Sequence, residues 1–206
     1  FYNNTTIDPP ELVRFIRKHY SDVTWNNPKQ GLIKSVNKNT NGLPTQVCRW
    51  CCKEYKEKGG KGYFKSVGVR GPESPRRKGL WRVLSHHNKT KEPILCPIVY
   101  WTDEDVWNYI KQSNLDYCSL YDKGFSRLGC VGCPMSDQQR DFEIWPKFER
   151  AWKRSALIFW NKHHGTKTIK GDERWMNKFK SFDEYWNWWI KNDKNNNEND
   201  CQLWLW

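Results

Sequence analysis

Two short cysteine clusters are where this 206-residue chain has the residue types and the spacing for chemistry. The first reads Cys48-Arg49-Trp50-Cys51-Cys52 and the second Gly129-Cys130-Val131-Gly132-Cys133-Pro134. Closely spaced thiols are the donor sets of zinc and of iron–sulfur groups. Two arrangements use them differently. In a zinc arrangement Cys48 and Cys51 form one C-x-x-C and Cys130 and Cys133 the other, four thiolates making a tetrahedron at about 2.3 Å. With 78 residues between Cys51 and Cys130, zinc would clip two distant parts of a fold together. In an iron–sulfur arrangement the vicinal pair Cys51-Cys52 joins Cys130 and Cys133 around a cube. Adjacent side chains on a helix diverge by about 100°, so they converge poorly on one ion but reach the separated corners of a cube. Gly129 and Gly132 would let the second loop wrap closely. The plain alternative is a set of buried, reduced thiols, which is the expectation for Cys96 and Cys118, far from other cysteines in sequence.

A second constellation suits an anion. Gly68-Val69-Arg70-Gly71-Pro72-Glu73-Ser74-Pro75-Arg76-Arg77 follows a stretch with strand character. Guanidinium groups bind phosphate or sulfate oxygens through a two-toothed fork. Arg70 at a strand end, with Arg76 and Arg77 beyond a turn, would clamp one anion from two sides. Glu73 would orient an arginine by an ion pair or bond a ribose hydroxyl. The alternative is a basic loop facing water.

The composition agrees with an anionic partner. Lys plus Arg number 35 against 23 Asp plus Glu, a formal net charge of +12, which favours a nucleotide, a phosphate or sulfate group, or nucleic acid. With 37% hydrophobic residues, 28% charged residues and 14 Trp, the chain reads as folded. Mean hydropathy is −0.97, and no apolar run approaches the length of a membrane-spanning helix. No charged-then-apolar leader opens the sequence at Phe1. Eight cysteines in such a chain suggest metal or redox chemistry in a reducing, cytoplasmic setting.

These residues need elements to position them. Residues 8–20 read as a helix, with Asp8 as N-cap, Pro9 at the first position and Glu11 completing a capping box. Residues 21–47 form a polar connection holding one short element. Residues 48–58 form a helix starting inside the first cysteine cluster, and residues 63–70 a strand ended by Gly71-Pro72. Residues 75–92, with six Lys or Arg and two His, read as a basic loop. Thr102 caps a helix with Asp105 three residues on, and residues 114–135 form the ordered loop that carries the second cluster. Residues 139–163 read as one long amphipathic helix, Ser181 and Glu184 open another that carries Trp186, Trp188 and Trp189, and residues 192–200 fray. The expected organisation is a mixed α/β domain over 1–135 and a helical, Trp-rich extension over 136–206.

Taken together and in order, several segments resemble one family, the phosphoadenosine phosphosulfate reductase-like domain of the adenine nucleotide α-hydrolase superfamily. They are Thr5-Thr6-Ile7-Asp8-Pro9-Pro10-Glu11; Arg49-Trp50-Cys51-Cys52 with Lys56-Glu57; Gly68-Val69-Arg70 with Glu73-Ser74 and Arg77; Pro97-Ile98 with Trp101-Thr102 and Asp105-Val106-Trp107; and Leu120-Tyr121-Asp122 leading to Gly129–Pro134. The resemblance covers residues 1–135. It implies a doubly wound, mostly parallel α/β core that binds an adenine nucleotide at the carboxyl ends of its strands. The pattern is similar to variants in which a vicinal pair and a later C-x-x-C hold a four-iron, four-sulfur cluster, which implies Cys51, Cys52, Cys130 and Cys133 as ligands and leaves Cys48 spare. Arg70, Glu73, Ser74 and Arg77 match family positions that bind substrate anions, and Lys56 matches a lysine following the cysteine pair.

Two features depart from the family. Its phosphate-binding loop of the type Ser-Gly-Gly-x-Asp-Ser is absent, so the expectation is a fragment lacking the first strand, its loop and its helix, which binds nucleotide poorly alone. The C-terminal Glu-Cys-Gly-x-His nucleophile motif is also absent. Cys201, in Asp200-Cys201-Gln202-Leu203, is the one cysteine near that position. The expected function is a sulfur-metabolism enzyme acting on an adenine nucleotide or sulfonucleotide, with a separate reductant protein as a further partner. Three readings stay open: a reductase that uses a cysteine thiolate against sulfur, a sulfurtransferase with a nucleic-acid acceptor resembling DNA-phosphorothioation proteins, and a metal-clipped basic module that binds nucleic acid by phosphate contacts.

Overall fold

The structure, a computed structural model, describes residues 1–39, 41–56, 64–86, 92–168 and 170–191. These residues form two compact units, one drawn from within Phe1–Gly59 and Gly124–Leu205 and the other from within Gly60–Lys123. Both units mix helices with a small sheet, and two of the three strand pairings are parallel. The expected mixed α/β class with parallel pairing is therefore present.

The first unit opens with β1 (Tyr2–Asn3), which pairs in parallel with β2 (Trp25–Asn26). Between them runs α1 (Pro10–His19). Asp8, expected as its cap, instead accepts the Thr5 amide at 3.1 Å, and Pro9 occupies the N-cap position without a capping side chain. Pro9 and Pro10 carry no amide hydrogen to be capped, and a proline in the first turn already holds its φ near the helical value. Next come α2 (Leu32–Val36) and α3 (Trp50–Tyr55).

The stretch expected as one long helix is two, α6 (Gln138–Ile144) and α7 (Pro146–His163), with α4 and α5 lying in the second unit. Pro146 is the cause. It cannot donate to the turn before it, and its ring pushes Trp145 out of helical geometry, where that residue sits at φ −124° and ψ 67°. On α7, Trp152, Ser155, Ala156, Phe159 and Trp160 are buried at the spacing of one helical face. The Ser155 hydroxyl donates to the Ile33 carbonyl at 2.6 Å, which fastens α7 to α2. The last helix, α8 (Phe182–Lys191), begins as expected, with the Ser181 hydroxyl accepting the Glu184 amide at 3.2 Å. Trp152, Tyr185, Trp186 and Trp189 bury almost completely between these helices, whereas Trp188 stays half-buried.

The second unit holds β3 (Lys65–Ser66), α4 (Pro75–Leu80), β4 (Leu84–His86), β5 (Pro93–Leu95) and α5 (Asp103–Gln112). The central strand β5 pairs in parallel with β3 and antiparallel with β4. Ile94, Cys96 and Val99 form its core, with Val67 and Trp81 packed against them. The expected basic loop over 75–92 is in its described part a helix and a strand. Ser74 caps α4, accepting the Arg77 amide at 3.2 Å, and Pro75 starts it, so a start signal was present but the cation run masked it. Thr102 and Asp105 form the expected capping box on α5. The fraying expected of residues 192–200 lies outside the described residues.

Candidate metal centre and anion site

The cysteine site lies within the first unit and is built by α3 and the loop before α6. One face of α3 is anchored by large side chains. The Trp50 indole donates to the Gly42 carbonyl at 3.1 Å, and the Tyr55 hydroxyl donates to the Gln30 carbonyl at 2.9 Å and lies 2.6 Å from the Ser35 hydroxyl. With Trp50 and Tyr55 buried, the half-buried Cys51 and Cys52 face the opposing loop.

That loop is held from several sides. The Val131 amide donates to the Ile7 carbonyl at 2.8 Å, the Trp152 indole to the Val131 carbonyl at 3.1 Å and the Gln138 amide to the Gly132 carbonyl at 3.1 Å. The Gly132 amide donates to the Asp141 carboxylate at 2.9 Å, which also accepts the Ser136 hydroxyl at 2.9 Å. Burial raises the Asp141 pKa, partly offset by these two donors. Gly132 sits at φ +74°, and a Cβ there would lie 2.7 Å from the Phe142 ring and 3.0 Å from the Trp152 indole nitrogen. No larger residue fits without displacing buried aromatic rings. The Gln46 side chain donates to the Pro134 carbonyl at 3.1 Å, tying the segment before α3 to the loop.

Cys51, Cys52, Cys130 and Cys133 line one pocket together with Lys56, Thr5, Ile7 and Trp152, whereas Cys48 is not among its lining residues. The Cys130 thiol lies 3.4 Å from the Thr5 hydroxyl and 3.9 Å from the Asp8 carboxylate. Burial pushes Cys130 up to about 11, against the pull of the Lys56 ammonium. Burial likewise raises Cys133. The hydrogen bond with Cys52, together with burial and the other thiols, raises Cys51 strongly. Burial works against the Lys56 ammonium, yet the nearby Cys130 and Cys52 outweigh it and raise its pKa. Burial thus penalises the Cys51, Cys130 and Cys133 thiolates, and the charge of the Lys56 ammonium works against that penalty at Cys130 and Cys133. Among the described residues no three His, Cys, Asp or Glu side chains converge closely enough to clasp a single metal ion.

Of the expected anion-binding residues, Arg70, Glu73, Ser74 and Arg77 lie in the second unit, whereas Lys56 lies in the first and lines the cysteine pocket. Arg70 is only 16% exposed at its side chain, its Nη2 lies 2.5 Å from Asp103 Oδ1, and its Nε lies 3.3 Å from Glu73 Oε1. Glu73 also pairs with the Arg77 guanidinium, so one carboxylate bridges two arginines. Among the described residues, the buried Arg70 Nη1 has no hydrogen-bond partner. An unpaired buried N–H on a guanidinium is costly, and an anion oxygen would satisfy it. The Ser74 hydroxyl is engaged as the cap of α4. Cys201, the candidate nucleophile, lies outside the described residues.

Thr5 and Asp103 had no assigned role in the sequence and Asp8 only that of a helix cap, yet the structure places all three at these sites. Thr5 and Asp8 fell inside a recognised segment, which was a usable signal. Asp103 meets Arg70 across 33 positions, a contact no local pattern reveals.

A family model for the phosphoadenosine phosphosulfate reductase domain matches residues 1–136. The chain belongs to the phosphoadenosine phosphosulfate reductase domain family. Both cysteine clusters and the arginine segment lie within the matched stretch of that domain. An uncharacterized protein of Methanocaldococcus jannaschii is 30% identical over 151 residues, covering 66% of this chain and 32% of that protein. An adenosine 5′-phosphosulfate reductase of Staphylococcus haemolyticus is 34% identical over 74 residues, covering 35% of this chain and 30% of the enzyme. One of Lysinibacillus sphaericus is 38% identical over 66 residues, covering 32% of this chain and 28% of the enzyme. The matches thus span about a third or less of these relatives' own lengths. Among the described residues, no helix is long and apolar enough to cross a membrane.

Proposed function

We propose that this chain is the cluster-bearing part of a sulfonucleotide reductase, with adenosine 5′-phosphosulfate or a close relative as substrate and a four-iron, four-sulfur cluster held by Cys51, Cys52, Cys130 and Cys133. The observation that carries the reading is the single pocket lined by those four thiols and Lys56, with Cys48 outside it. The donor set fits the group. Four soft thiols share one pocket, and thiolates are the ligands that iron–sulfur clusters take. Bound there, the cluster would supply redox-active iron and a compact charge.

The chain's own residues do the rest. Lys56 offsets the negative charge of the thiolates, and Thr5 offers Cys130 a hydrogen bond. The Asp141 bonds to Gly132 and Ser136 keep the second loop in shape. In the second unit, Glu73 holds the Arg70 and Arg77 guanidinium groups beside each other, and the unsatisfied Arg70 Nη1 receives a sulfate or phosphate oxygen. The named activity of the two reductase relatives, over stretches this chain shares, supports the substrate class.

The test is iron and acid-labile sulfide content with a visible spectrum on anaerobically purified protein. Near-equal iron and sulfide, about four of each per chain, is the expected result. Stoichiometric zinc without sulfide would overturn the cluster reading.

A further inference from the structure

Helix α7 shows the core one face and water another. Its outward strip carries Lys147, Arg150, Arg154 and Lys162, all exposed. None of the four has a carboxylate partner among the described residues, in contrast to Lys153, which pairs with Asp183 at 3.7 Å. The acid of α7, Glu149, is half-buried toward the packed face. At 1.5 Å per residue, the cations from Lys147 to Lys162 spread along about 22 Å of the helix. Four like charges on one strip repel one another, and the buried face of α7, Trp152, Ser155, Ala156, Phe159 and Trp160, makes no use of them. The ridge lies beyond the stretch the family model matches.

We infer that the outward strip of α7 is a docking surface for the phosphate backbone of a nucleic acid. Charge complementarity is the argument. A basic stripe along one helix in a protein with a pI near 9.3 is the electrostatic footprint of a nucleic-acid binder. Exposed arginines and lysines spaced along a helix can each neutralise a phosphate and release its counterions. Leu157 and Ile158, exposed between the cations, would meet sugar carbons. This inference does not rest on the metal centre, and cluster-free protein can test it.

The experiment is fluorescence anisotropy of labelled 20-base-pair DNA and RNA duplexes titrated with the full chain between 50 and 200 mM salt. The variant is Lys147→Gln, Arg150→Gln, Arg154→Gln, Lys162→Gln. An equal-charge control is Lys18→Gln, Lys29→Gln, Lys34→Gln, Lys38→Gln, and circular dichroism checks the fold of each. Each phosphate contact contributes about 0.9 to the slope of log affinity against log salt, so the α7 variant should flatten that slope by about 3 to 4 and the control by much less. Binding of either duplex with that difference bears the inference out. Three results overturn it: no binding at 50 mM salt, equal flattening in both variants, or loss of binding to poly-glutamate but not to duplex in the α7 variant, the last pointing to an acidic protein partner.

Discussion

At the scale of single residues, the account turns on Gly132 and Arg70. Gly132 combines a left-handed backbone with a Cβ position already filled by Phe142 and Trp152. Gly132→Ala pays both the left-handed penalty and overpacking of the core, together about 2–4 kcal/mol. Denaturant unfolding should show that loss, and a change under about 0.5 kcal/mol would mean the loop is not held as described. For Arg70 the magnitudes separate structure from binding. Its Asp103 partner is 85% exposed, so Asp103→Ala should cost no more than about 1 kcal/mol. The buried, unsatisfied Nη1 predicts instead that sulfate raises the melting temperature of the native protein by binding the folded state, and that Arg70→Lys, which lacks the fork, abolishes that rise. A rise unchanged in Arg70→Lys would remove Arg70 from the anion site.

At the scale of elements, the best-marked helix makes the clearest prediction. The Asp105 carboxylate accepts the Thr102 amide and hydroxyl, each at 2.8 Å, and these bonds hold its pKa below the ordinary 3.8. A lowered folded value means the stabilising share of this carboxylate is complete above 3.8 and is lost as pH falls through the lowered value. Thr102→Ala should weaken α5 and move the Asp105 titration, followed by NMR, upward toward 3.8; an unmoved titration would contradict the capping box. Such boxes are legible in sequence because donor and acceptor sit three positions apart. Thr102–Asp105 and Ser181–Glu184 read correctly for that reason. Asp8 misled because its carboxylate turns back to the Thr5 amide and Pro9 takes the cap position. The single helix expected over 139–163 failed because hydrophobic spacing carries across Pro146 while the backbone does not. Strands of two or three residues, such as β1 and β3, leave almost no periodic signal.

At the scale of the whole molecule, the sequence carried the cysteine pairing pattern and the arginine segment, since short spacings survive in one dimension. It did not carry the division into two units, whose boundaries follow contacts between residues far apart in the chain, nor the Asp103 partner of Arg70 or the exposure of the α7 cations. The central proposal is that Cys52, rather than Cys48, joins Cys51, Cys130 and Cys133 in the metal centre. It is tested most directly by iron and sulfide analysis of Cys52→Ser beside Cys48→Ser, both purified without oxygen. The account predicts that Cys52→Ser loses the iron and sulfide while Cys48→Ser keeps them. Bound metal lost in Cys48→Ser and kept in Cys52→Ser would contradict it and make the cysteines a structural zinc clip.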